Sequence, residues 1–210
     1  LGANEAPPAI MSIFLGAQLT SVLNDLEKGV TSKGTDPQWI SLGIDHIPAV
    51  IKDNTDRNRT SPFAFTGNKF EFRAVGSSFN NAIPVTTLNT IVAGQMVETK
   101  KLIDAAMKGG KPFKEAATEV LRKLYKESKG VCFEGNNYSE EWVKEAKKRG
   151  LPNEKTTPAA LKGFHLKKSV ELFERLKVLT AEESHSRYHI LLEKYAKDLD
   201  IEAKLVGEMS

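Results

Sequence analysis

Cysteine is almost missing from the 210 residues: Cys132 stands alone, so no disulfide can form within the chain, and a reducing, cytoplasmic setting is the expectation. No apolar run approaches the ~20 residues needed to cross a bilayer, and no basic stretch followed by an apolar core opens the chain. Neither sign of charge dominates: 30 Lys and Arg stand against 27 Asp and Glu, for a formal net charge of +3. No Lys/Arg run is long enough to mark a nucleic-acid-binding arm. A membrane span, an intact secretory precursor and a nucleic-acid partner are therefore not expected. Also missing are a GxxxxGK phosphate loop and any Ser/His/Asp motif.

What is present is the composition of a globular protein, 40% hydrophobic and 27% charged. The opening Leu1-Gly2-Ala3-Asn4-Glu5-Ala6-Pro7-Pro8 has no initiator Met and reads as loop, which gives the expectation of a piece of a longer chain. Charge density then divides the sequence. Residues 1–90 hold 15 charged side chains and the last 120 hold 42, with a soft boundary at Gly109-Gly110. Residues 1–110 mix apolar runs with turn signals such as Thr66-Gly67-Asn68, whereas 111–210 read as charged amphipathic helices.

Ile13, Phe14, Ala17, Val22, Leu23 and Leu26 recur at helical spacing and predict a helix over about 9–28, stopped by Gly29. Residues 69–75 alternate and predict a strand. Helical spacing returns over 87–107, and further helices are predicted at 113–128, 139–149 with Ser139 as N-cap and Trp142 buried, and 158–178. Thr180-Ala181-Glu182-Glu183 has capping-box spacing and opens a last helix through Tyr195.

The strand carries the chemistry. Period two places Lys69, Glu71 and Arg73 on one face and Phe70, Phe72 and Ala74 on the other. A carboxylate is a hard ligand for Mg²⁺, Arg grips phosphate or carboxylate through paired hydrogen bonds, and Lys adds a point charge. Such a face suits a metal-nucleotide site, or equally an exposed ladder of ion pairs, which is the commoner outcome for alternating charges taken alone. Upstream, the polar run 53–62 reads as a loop feeding the next strand, again either a site or a solvated turn. His185 and His189, spaced i and i+4 on the last helix, are expected to pack rather than bind metal, and His46 and His165 are read as isolated structural residues. Cys132 reads as a structural thiol.

Taken together, these pieces resemble the glutamine synthetases. Asn58-Arg59-Thr60-Ser61 matches an Asn-Arg-Ser-type segment, and Lys69-Phe70-Glu71-Phe72-Arg73 matches the Arg-x-Glu-x-Arg strand that follows it in that family. Ala3-Asn4-Glu5-Ala6-Pro7 matches the flap motif Gly-x-Glu-Ala-Pro, with Gly2 displaced by one position. The wording of these segments and the long helical tail resemble the large type III branch. Two positions depart from the pattern: Ala64 stands where many members have a second Arg, and Lys69 replaces the first Arg of the strand.

The resemblance implies an α+β fold. Residues 1–110 would be the C-terminal part of a synthetase catalytic domain, with few strands, a long helix and a type-specific insertion at about 16–50, and residues 111–210 a helical extension. It implies ATP, Mg²⁺ or Mn²⁺, glutamate and ammonium as ligands, and a ring-shaped homo-oligomer whose sites form between subunits. By resemblance Glu71 would ligate metal, Arg73 would hold the substrate carboxylate or transferred phosphate, and Lys69 would lie near the nucleotide. Arg59 would stabilise charge on the phosphoryl group, and Glu5 on the flap would help accept a proton from ammonium. Most metal ligands of the family lie farther upstream, so these residues by themselves are expected to be inactive. The rival reading is a catalytically inactive homologue whose helical part is an assembly or regulatory module.

Overall fold

The computed structural model describes residues 10–30, 39–40, 50–51, 61–74 and 80–209. They form two compact units, one from residues within 9–74 and 103–153, the other from residues within 75–102 and 154–210.

The first unit is built on a three-stranded sheet. β1 (Ile13–Phe14) runs parallel to β4 (Phe63–Phe65), which pairs antiparallel with β5 (Phe70–Phe72). Between them in sequence lie α1 (Gly16–Lys28) and a separate antiparallel pair, β2 (Trp39–Ile40) with β3 (Val50–Ile51). The helix predicted from residue 9 therefore begins only at Gly16. Ile13 and Phe14 have helical spacing, but their backbone is taken by Phe63 and Ala64 across the ladder, and a distant partner overrides a local preference. The predicted stop holds: Gly29 adopts φ 74°, where a side chain would be strained.

Helices α3 (Phe113–Ser128) and α4 (Glu140–Lys148) complete this unit. α3 packs on α1 through polar ties: Arg122 Nε donates to Leu26 O (2.8 Å), Tyr125 Oη donates to Asn24 Oδ1 (3.2 Å), and Lys129 pairs with Glu27 (2.6 Å). The Arg122 bond adds a second donor to a carbonyl that already accepts from Gly29 N (3.2 Å) at the end of α1. α4 is capped as predicted, Ser139 Oγ accepting from Trp142 N at 3.2 Å. Trp142, 1% exposed, centres an apolar cluster with Ile10 and Ala146, flanked by Phe133 and Leu151.

The second unit is helical. α2 (Ala82–Lys108) contributes its first part, followed by α5 (Thr157–Leu161), a 3-10 turn (Lys162–His165), α6 (Lys167–Arg175) and α7 (Ala181–Met209). The single helix predicted over 158–178 is thus broken. Leu166 is extended (ψ 127°), and the turn's Phe164 carbonyl accepts from Ser184 Oγ of α7 at 3.1 Å, a bond that a continuous helix would deny it. α6 lies close to α2, since a Cβ on Gly94 would meet Leu172 Cδ1 at 2.6 Å. Glu98 of α2 pairs with both Lys101 and Arg175. α7 opens with a reciprocal capping box: Thr180 N donates to Glu183 Oε2 (2.8 Å) and Glu183 N to Thr180 Oγ1 (3.1 Å). It runs to Met209, well beyond the predicted stretch. No helix among the described residues is long and apolar enough to cross a membrane.

Candidate functional site

The charged face of β5 is built by a hairpin. Phe63, Ala64 and Phe65 pair with Phe72, Glu71 and Phe70 in turn, so Ala64 lies directly across from Glu71 and four phenylalanines share the opposite face. The connection Thr66 to Lys69 closes with Thr66 N donating to Lys69 O (2.8 Å), and Gly67 supplies a φ of 95°. At the other end Arg73 N donates to Pro62 O at 2.8 Å. The chain therefore enters β4 at the end of the hairpin from which Arg73 leaves.

Lys69, Glu71 and Arg73 come together as the alternation predicts. Lys69 Nζ lies 3.4 Å from Glu71 Oε1, and Arg73 Nη2 lies 3.4 Å from Oε2. Lys69 first, then Arg73, hold the Glu71 carboxyl below its ordinary pKa, partial burial opposing them. The side chain of Glu71 is 40% exposed and that of Lys69 64%. Exposed ion pairs are weak, so a divalent cation can displace Lys69 from this carboxylate at small cost. Glu71 thus fits one hard-oxygen ligand of Mg²⁺, ionised and accessible. It does not make a metal site alone: among the described residues no three His, Cys, Asp or Glu side chains are placed to hold a metal. Glu5 and Arg59 lie outside the described residues.

Three features escape the sequence reading. Thr66 Oγ1 is within 3.5 Å of Glu71 Oε1 and is a further polar neighbour of the carboxylate, signalled only by its place beside the Gly67 turn. The aromatic face is also less covered than the pattern implies. Phe70, stacked on Phe63 (5.3 Å, 11°), is 45% exposed, whereas Ala64 on the charged face is fully buried. In the second unit His165 is not isolated: its ring stacks on His185 (4.6 Å) and meets His189 and Tyr188 edge-on. His185 and His189 do pack, as expected. Burial pushes the half-buried Cys132 thiol up, and nearby Glu134 adds to the effect.

Comparison with known proteins bears on the whole chain. Residues 116–210 match the glutamine synthetase C-terminal domain. The full chain is 42% identical over 213 residues to a glutamine synthetase of Bacteroides fragilis and 43% identical over 209 residues to the Type-3 glutamine synthetase of Dictyostelium discoideum. Each alignment covers 100% of this chain. The chain belongs to the glutamine synthetase family. It spans 29% and 28% of the length of those two relatives, and 29% of a third, the glutamine synthetase of Butyrivibrio fibrisolvens, to which it is 42% identical over 219 residues. The matched C-terminal domain begins after the hairpin, so Lys69, Glu71 and Arg73 fall in synthetase sequence covered by the relatives alone.

Proposed function

We propose that this chain serves, as part of a longer polypeptide, in an ATP-dependent glutamate–ammonia ligase of the type III branch. ATP would transfer its terminal phosphoryl group to the glutamate side-chain carboxylate, giving γ-glutamyl phosphate. Ammonium would then lose a proton, and the ammonia so formed would displace phosphate, losing a second proton to give glutamine. The observation that carries this reading is the carboxylate of Glu71 held ionised between two cations on one strand.

In this reading Glu71 is a ligand of Mg²⁺ or Mn²⁺, which when bound screens the phosphate charge and orients the nucleotide. Arg73 binds the substrate carboxylate or the transferred phosphate, and Lys69, the more exposed cation, lies near the nucleotide. Arg59 stabilises charge building on the phosphoryl group, and Glu5 takes the proton from ammonium. Residues 1–110 would belong to the catalytic domain, with 16–50 as a type-specific insertion, and 111–210 to its helical extension. The whole protein would assemble as a cytoplasmic ring of identical subunits.

Glutamate-dependent phosphate release from ATP and Mg²⁺, with and without ammonium, tests this in the full-length protein. Turnover should require ammonium, and Glu71→Ala should abolish it without changing the assembled mass in light scattering. Wild-type-like turnover in Glu71→Ala would sink the ligand assignment. A folded, assembled and inactive parent would instead point to the non-catalytic module.

A further inference from the structure

We propose that Asn137, in the turn before α4, is a positioning residue for Glu71, acting through Ser12 and strand β1; the claim rests on the reading of Glu71 as a metal ligand. β1 is only two residues long, too short to fix its own place by pairing with β4. Its position is set from the other side. Phe133 N donates to Ile13 O at 3.0 Å, and Ile13 forms a parallel bridge with Cys132, so a piece of chain 120 residues downstream adds a further position to the sheet. One residue before β1, Ser12 is 1% exposed and its hydroxyl donates to Asn137 Oδ1 at 2.7 Å; Asn137 itself is 7% exposed. Both partners are out of water, so losing Asn137 takes this acceptor from the buried Ser12 hydroxyl.

The support under Asn137 is stiff. Ile10, two residues before Ser12, packs in the Trp142 cluster, and Phe133 stacks on Trp142 with centroids 3.7 Å apart. Arg149 lies over the same indole (5.3 Å) and donates to the carbonyls of Gly130 (3.3 Å) and Cys132 (2.9 Å). From β1 the path to the site is two ladder steps: Phe14 pairs with Ala64, and Ala64 with Glu71. Ala64 is fully buried, so little room lies between β1 and the backbone of Glu71 to absorb a shift. The helical segment that follows Gly110 therefore holds the sheet on which Glu71 stands.

Mn²⁺ binding, followed by electron paramagnetic resonance on the full-length protein, tests this without relying on turnover. The relevant site is the one lost in Glu71→Ala. In Asn137→Ala its dissociation constant should rise about three- to tenfold, with assembled mass unchanged, and Ser12→Ala/Asn137→Ala should be no weaker than Asn137→Ala alone. Asn137→Asp keeps the acceptor for Ser12 but loses the Nδ2–H donated to Gly135 O (3.5 Å) and buries a carboxyl, so only part of the affinity should return. Thr180→Ala, a destabilising change in the other unit, should leave Mn²⁺ affinity at the wild-type value, which separates positioning from general loss of stability. Wild-type affinity in a folded Asn137→Ala overturns the proposal while leaving Glu71 as a ligand. Unchanged Mn²⁺ binding in Glu71→Ala overturns the ligand reading, and the positioning role with it.

Discussion

His165 shows how one residue takes its behaviour from neighbours distant in sequence. Desolvation, then the charges of His185 and His189, lower its pKa from the ordinary 6.5. The folded chain therefore binds a proton here less readily than the unfolded chain does. Its contribution to stability is complete above about 6.5 and is lost as pH falls from there through the folded value. A proton-detected histidine titration should place the His165 midpoint below 6.5, with thermal stability falling over the same window; a midpoint at or above 6.5 would remove the effect. At this scale the candidate site was legible where period two alone set the geometry. Lys69, Glu71 and Arg73 converge because alternate residues of any strand share a face. Thr66 and the clustering of His165 were not legible, because each depends on where a turn delivers a side chain.

Among the elements, those specified by their own ends were the readable ones. The Ser139 cap and the Thr180–Glu183 capping box both follow from residues within one turn of the boundary. Thr180→Ala removes the acceptor for Glu183 N and should cost about 0.5–2 kcal/mol in urea unfolding, the range of N-cap deletions. A loss below ~0.3 kcal/mol would mean that Glu183 alone sustains the cap. The misread elements were those decided elsewhere in the chain. Residues 13–14 became a strand because of Phe63 and Ala64, and the helix expected over 158–178 broke where Ser184 claims the Phe164 carbonyl. No window of local sequence contains either partner.

For the whole chain, grouping in space and grouping in sequence differ. Charge density changes near Gly110, yet residues 103–153 cluster with 9–74, and the buried Trp142 packs on Ile10. A stop after Asn153 should leave the sheet unit able to unfold cooperatively in urea, as followed by circular dichroism. A stop after Gly110 removes Phe133, Asn137 and Trp142 and should abolish that cooperativity. Equal cooperativity in both would show that the sheet stands without them.

The tie between Ser12 and Asn137 also has a meaning in time. On a ribosome adding about 5–20 residues per second, the roughly 60 residues from Arg73 to Asn137 take about 3 to 12 s to emerge. Through that interval the nascent hairpin carries Glu71 and its stacked phenylalanines without the partners that seat β1. The strand bearing the chemistry is made early and secured late, so the nascent chain passes through a stage in which β1 lacks the segment that seats it.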